Sequence, residues 1–464
     1  MLIKGATLLQ GSTMDVRVTG TVIEELAESL APRDSEHVID GRERTLIPGL
    51  HDHHIHFFAL AAARSSLQCG PPFVQGEAAL LELLNRACVG KPASIRGVGY
   101  HESVAGDLGA DYLDAACGPI PTKVQHRSGR LWYLNSAAMQ LLPPVETWPQ
   151  GAERDSAGKP TGRFYNADDW LRQFLTASPI DIHNTSLELA RYGITGFTDA
   201  GPDNDQSTLQ MMRSSQKDGS LLQRVVLMGR LDLPAYRDSF LRRGPVKIYL
   251  REVDLPDFDS LCASISKAHS EQRNVAFHCV TLGELHYALE SLDSAGFLQG
   301  DRIEHASVAD DFSIDRIAAC GATVVTQPHF IYERGDQYLQ QVPVDEQPFL
   351  YRGAAFLGKG VPFAAGSDAP FGEPDPWVAI RAAKDRRTRD GVSMRDDECI
   401  APARAFELFL GDPMSPARTR KVEQGAAADL CLLSGTPEDV VEDPSRERVE
   451  ITLINGKVVW RRGR

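Results

Sequence analysis

The sequence predicts an α/β protein: a (β/α)8 TIM barrel, a small β-sandwich built from both chain ends, and a subdomain inserted after the first barrel strand. Three observations carry this. Short apolar runs alternate with helical stretches through the middle of the chain, the pattern of repeated βα units. Strand and turn signals crowd residues 1–47 and 413–464. A stretch of about 130 residues separates the first barrel strand from the second, too long for a simple crossover. The expected division is therefore 1–47 and 413–464 for the sandwich and 48–412 for the barrel, with the insertion at about 60–185.

In chain order, Leu2–Leu9, Val16–Val18, Val22–Leu26 and Thr45–Ile47 read as short strands that feed the barrel. The insertion holds its own strand-like runs, 94–100 and 121–128, and is expected over the mouth of the barrel. Barrel strands are expected at 50–56, 194–199, 224–229, 246–250, 275–280, 302–306, 323–327 and 362–367. Eight is the number that closes a parallel barrel. Near the end, 428–433 and a hairpin over 451–460 that turns at Asn455-Gly456 return to the sandwich.

The hydrophobic share of 42% and charged share of 24% are those of a soluble globular protein. A net charge of −14 argues against nucleic acid or an anionic membrane as partner and says nothing else about substrate. No segment reaches the roughly 20 apolar residues that span a bilayer, and Met1–Ala6 lacks the basic start of a signal peptide. Eight scattered cysteines without a CxxC pair read as reduced thiols, so a cytoplasmic location is expected. A homodimer or higher homo-oligomer is the prior for a soluble globular chain.

The chemistry concentrates in Pro48-Gly49-Leu50-His51-Asp52-His53-His54-Ile55-His56. On a strand, side chains two apart share a face, so His54 and His56 can reach one metal ion. Four histidines in six residues cannot all be ligands, and His51 and His53 are expected to pack or to support the other two. Active sites of such barrels form at the carboxyl ends of the strands. Those ends carry His54 and His56, then Lys247, His278, His305 and Asp368, each a candidate metal ligand or general base. Lys247 lies in an apolar strand that would bury it and make its neutral amine accessible. A neutral amine can add carbon dioxide and become a carbamate that bridges two cations; the alternatives are a lysine snorkelling to the rim or an unmodified catalytic lysine. His278 and His305 would complete the shell of a second cation. Cys279 points to the opposite strand face. Asp368 is either a cap for the following segment or the acceptor of a proton from water.

In order and strand position, these residues resemble the amidohydrolase superfamily, with a match that runs from Pro48 to Trp460. The branch most similar is that of the N-substituted formamide deformylases, on Gly97-Val98-Gly99-Tyr100, Leu134-Asn135-Ser136-Ala137-Ala138, Gly193–Gly201 and Gly366-Ser367-Asp368-Ala369-Pro370. Length and the single small sandwich are also similar to phenylurea and molinate hydrolases, although that subgroup favours Asn where His54 stands here. The resemblance implies a first metal on His54, His56 and Asp368, a second on His278 and His305, and carbamylated Lys247 between them. One or two divalent transition ions are thus expected, zinc foremost, with cobalt, manganese or iron as alternatives. Asp368 would be the catalytic acid–base residue. The branch commonly carries a histidine in an Asp-Gly-His segment, where this chain has Gly129-Arg130-Leu131. Arg130, Trp132, Tyr100, His101, Gln327 and His329 are the candidates for lining the substrate pocket.

The expected activity is metal-dependent hydrolysis of a non-peptide C–N bond (amide, formamide, urea or carbamate) in a small apolar or aromatic molecule. A ring-amine deaminase is the alternative within the superfamily, but such enzymes typically lack the bridging lysine. A catalytically silent scaffold would have lost ligands, and none of the six is missing.

Overall fold

The structure, a computed structural model, describes residues 1–71, 73–175 and 180–463, and of Asp169 the backbone only. It divides into two compact units, residues 1–57 with 183–464 and residues 58–182.

In the first unit, eight strands form one parallel sheet in chain order: Leu50–Ile55, Ile194–Asp199, Arg224–Gly229, Leu241–Tyr249, Val275–Cys279, Arg302–His305, Thr323–Thr326 and Phe363–Ala365. Helices on the outside and side chains within bury both faces, so these strands lack the alternation of a half-exposed sheet. Leu50–Ile55 and Thr323–Thr326 are buried along their whole length. The fourth strand starts at Leu241, earlier than expected, because Leu241 and Arg242 pair with Val225 and Val226 before an irregularity brings Val246 beside Gly229. After the fifth strand comes a helix, Leu282–Ala295, started by a capping box between Thr281 and Glu284 and stopped at Gly296. Its Leu285, Leu289 and Leu292 are buried.

The seam between the eighth and first strands is made by a few specific groups. The amide of Asp368 donates to the carbonyl of His54 at 2.7 Å, and that of His56 donates to Ala369 at 2.8 Å. One oxygen of Asp52 accepts from the amides of Ser367 (2.9 Å) and His54 (3.1 Å). Gly366 lies so close to the His54 backbone that a Cβ there would meet the Cβ of His54 at 2.6 Å.

Both chain ends supply an eight-stranded mixed sheet in which Leu430–Ser434 pairs with Arg44–Pro48. The expected sandwich is this one sheet folded over its own core. Val22, in Val22–Ala27 at one edge, bridges Ala427, just ahead of Leu430–Ser434. Ile3, Val16, Ile23, Leu46, Leu430 and Leu453 meet inside it. Among the described residues, no helix is long and apolar enough to cross a membrane.

The second unit carries a six-stranded sheet of its own. Leu67–Gln68, Ile95–Tyr100 and Thr122–His126 run parallel, and Leu131–Leu134, Pro160–Tyr165 and Ala152–Arg154 complete it antiparallel.

Candidate active site

His54 lies near the end of the first barrel strand and His56 immediately after it. Their Nε2 atoms stand 3.5 and 3.2 Å from the same oxygen of Asp368. One ligand atom from each of these three residues falls within a 4.8 Å group. His305 packs beside His54, with ring centroids 4.7 Å apart, and His278 lies 4.5 Å from His305. Lys247 is buried on the fourth strand, and its Nζ has no hydrogen-bond partner among the described residues. The structure thus gathers all six side chains expected at the strand ends. Cys279 faces a different way, its Sγ 3.8 Å from the carbonyl of Glu284 in the following helix.

Burial sets the protonation of the group. It pushes the His54 imidazole down to about 3, assisted by the charge of Lys247. It also lowers His278 and His305, so all three rings are neutral and carry a lone pair. Lys247 is lowered by burial too, with Glu304 opposing that shift. Burial alone would raise the Asp368 carboxyl; the hydrogen bond from His56 and the imidazoles of His305 and His54 beside it outweigh that and hold it below the usual carboxylate range.

Two carboxylates that the sequence reading passed over hold this arrangement. Glu304 receives the Nδ1 of His54 at 2.5 Å and is gripped by Arg302 at 2.7 and 3.0 Å. Since His54 is neutral, this is an N–H donated to a carboxylate rather than an ion pair. Burial would raise Glu304, but Arg302, Lys247 and His54 together hold it below the usual carboxylate range. Asp52 is the second, closing the seam as described, and burial raises its carboxyl to about 7. Arg302 and Glu304, two apart in a strand buried at every position, were the available signal: charges there must serve each other or a site. Backbone strain marks the same place. His305 (φ 70°), Ala306 (46°) and Asp368 (53°) are left-handed without being glycine, a conformation that surrounding structure must impose.

The six pocket candidates fall in both units. Gln327 accepts from His305 Nδ1 at 2.7 Å, which leaves His305 Nε2 as the lone-pair nitrogen. His329 is buried and donates through Nε2 to the carbonyl of Ser367 at 3.0 Å. The other four belong to the second unit. Tyr100 is buried in its core with the hydroxyl on Gly106, and Trp132 is buried with Nε1 donating to Asp168. His101 caps the short helix Glu102–Ala105, and Arg130 is exposed. His51 packs against Thr198, and His53 is wholly buried.

A second trio, His101, Glu102 and His126, also brings donor atoms together. Its tautomers oppose metal binding. The Nδ1 atoms accept from the amides of Ser103 (3.2 Å) and Ser128 (3.1 Å), which leaves the proton on Nε2, facing Glu102. A cavity of about 720 Å³ lined by Pro48, Thr195, Arg224 and Arg420 opens at the other end of the barrel strands. Two of its half-buried guanidinium groups are already engaged, Arg224 by Asp429 and Arg420 by the carbonyls of Gly411 and Gly49.

The donor set at the strand ends fits a divalent transition metal. Among the described residues the buried His54 Nε2 and Lys247 Nζ have no hydrogen-bond partner, the imidazoles of His54, His278 and His305 are neutral, and the Asp368 carboxylate stands between His54 and His56.

A parallel barrel with such a group at the carboxyl ends of its strands has the architecture of a barrel enzyme. The chain belongs to the amidohydrolase family, whose profile matches residues 37–460, and is accordingly a hydrolase acting on carbon–nitrogen bonds other than peptide bonds. It is 24% identical to an N-substituted formamide deformylase of Arthrobacter pascens, over 98% of this chain and 95% of that one. Its fold is similar to that of an uncharacterized metal-dependent hydrolase of Pyrococcus horikoshii, with a TM-score of 0.76 at 17% identity over 94% and 97% of the two chains. It also resembles the zinc-complexed atrazine chlorohydrolase of Arthrobacter aurescens, with a TM-score of 0.56 at 14% identity over 99% and 95%.

Proposed function

We propose that the protein hydrolyses an amide, formamide, urea or carbamate bond in a small, apolar or aromatic molecule. One or two divalent ions, zinc foremost, would be held by His54, His56, His278, His305, Asp368 and a carbamylated Lys247. The observation that carries this reading is the convergence of the unpartnered His54 Nε2 and Lys247 Nζ on the ionised Asp368. Such an ion lowers the pKa of water towards neutrality and polarises the scissile carbonyl.

The protein groups do the rest. Asp368 takes the proton from the attacking water and delivers it to the departing nitrogen. Held ionised beside His54 and His56, it is placed to act as that base. In its deprotonated form, which burial favours, the Lys247 amine would add to the carbon of carbon dioxide: the N–C bond forms as one C=O π bond opens onto oxygen, and the nitrogen passes a proton to water, leaving a carbamate anion. Tyr249 packs on His278 and Phe371 on His56, with ring centroids 4.4 and 5.6 Å apart. Both rings are about two-fifths exposed, 43% and 42%, and supply apolar faces beside the cluster. These faces support an apolar or aromatic substituent on the substrate.

The test is a hydrolysis screen over N-substituted formamides, anilides, phenylureas, carbamates and dipeptides, with metal content measured on the same sample. Amine release from one of the first four classes is expected. Release from none, by metal-loaded protein, sinks the proposal.

A further inference from the structure

Glu304 reaches across the barrel. It sits on the sixth strand, His54 on the first, and these strands are not neighbours in the sheet. Each carboxylate oxygen is committed. Oε1 accepts from Arg302 Nε at 2.7 Å; Oε2 accepts from Arg302 Nη2 at 3.0 Å and from His54 Nδ1 at 2.5 Å. A guanidinium can only donate. With both oxygens turned to donors, Nδ1 of His54 must carry the ring proton, and Nε2 must carry the lone pair.

The alternative tautomer has an obvious partner. Nε2 lies 3.5 Å from Asp368, so a proton there would be donated to that carboxylate. Histidine and aspartate would then satisfy each other and close two ligand positions at once. Arg302 adds a second constraint: its Nη2 also donates to the carbonyl of His53 at 2.8 Å. One arginine therefore fixes the backbone beside His54 and the carboxylate on its ring.

We propose that Glu304 is a positioning residue for His54, keeping it in the Nδ1–H tautomer with Nε2 free for a metal, and that Arg302 clamps the pair. This rests on the metal-hydrolase reading above. Orientation of ligating imidazoles by outer carboxylates is a general device, and its loss typically weakens metal affinity roughly 10- to 100-fold. Glutamine cannot replace Glu304. With its oxygen in the Oε2 place it still faces Arg302 Nη2 and His54 Nδ1, but its amino group then confronts Arg302 Nε and the carboxylate charge that both donors address is gone.

The experiment is a zinc competition titration against a chromogenic chelator on full-length wild type, Glu304→Gln, His54→Gln and the double variant. The visible spectrum of cobalt(II)-loaded protein is recorded alongside. Expected are a roughly 10- to 100-fold loss of zinc affinity in Glu304→Gln, an altered cobalt spectrum, and no further loss when Glu304→Gln is added to His54→Gln. Unchanged affinity and spectrum in folded Glu304→Gln, or additive losses in the double variant, overturn the inference. Should Glu304→Gln be insoluble, Glu304→Asp keeps the charge and withdraws the carboxylate by one methylene; wild-type affinity in that variant also overturns it. A wild-type chain that takes up no zinc, cobalt or manganese overturns the metal reading itself, which is a distinguishable result.

Discussion

Gly366→Ala tests whether the seam between the eighth and first strands sets the site. A Cβ at this position would stand 2.6 Å from His54 Cβ and 2.8 Å from His54 Cα, and closer still to its amide nitrogen. Ordinary contact begins near 3.4 Å, so the strands must part by about 1 Å in a region packed too tightly to absorb it. Overpacking of this kind costs about 1–3 kcal/mol. The parting also strains the Asp368–His54 and Ser367–Asp52 hydrogen bonds, now 2.7 and 2.9 Å, at about 0.5–1.5 kcal/mol each if lost. The sum is about 2–6 kcal/mol, a large part of ordinary domain stability. The same displacement moves Asp368 relative to His54, and 1 Å of misplacement can cost roughly 100-fold in rate. The assays are urea unfolding by circular dichroism and turnover of whichever substrate the screen identifies. Gly358→Ala is the control, because nothing lies within 4 Å of its added methyl; it should be neutral or stabilising by about 0.4–1 kcal/mol. A Gly366→Ala protein with wild-type unfolding midpoint and turnover would refute the argument that the seam is sterically fixed.

Lys247→Met should abolish hydrolysis while stabilising the metal-free chain, because the buried amine it removes has no partner; about 1–3 kcal/mol is expected, read as a raised apo unfolding midpoint. Exhaustive chelation should stop turnover, and zinc, cobalt or manganese should restore it. Saturating metal at 1,000 times its dissociation constant should add about 4 kcal/mol of stability, seen as a concentration-dependent melting temperature. In the second unit, burial lowers Lys123 from 10.5 to about 8. The unfolded state therefore binds more protons between those values, so stability rises with pH across about 8–10.5, and the penalty is fully present below 8. Lys123→Met should flatten that rise in pH-dependent unfolding.

The legible part of the site was the part whose chemistry is unusual for its position. His54 and His56 stand out because two imidazoles share one strand face, and Lys247 because an ammonium does not belong in an apolar strand. Each announces a partner, and the structure brings those partners together. Glu304 and Asp52 escaped notice because a lone carboxylate in a sequence reads as solvent-facing. What gives them meaning is that their strands are buried at every position, a fact of the closed barrel rather than of any local pattern. The terminal sheet was expected from both chain ends, but the way it closes was hidden for a related reason. The Val22–Ala427 bridge joins positions far apart in the chain, and no local periodicity encodes that closure. In the second unit, Tyr100 and Trp132 looked like pocket walls, whereas large aromatics most often serve to fill a core, as they do here.

The supporting carboxylates also change what counts as a complete site. A chain can keep all six candidate ligands and still lose the site if Arg302 is replaced, because Glu304 would then be a buried charge without its main partner. Removing one member of such a pair typically costs about 3–5 kcal/mol. Glu304 would escape that cost by taking up a proton, and a protonated Glu304 competes with His54 Nδ1 as a donor. The imidazole would then turn its proton to Nε2, towards Asp368. The ligand set is therefore only as good as a guanidinium that touches neither the reacting atoms nor any ligand side chain. Among the described residues its direct hold on the first strand is the carbonyl of His53.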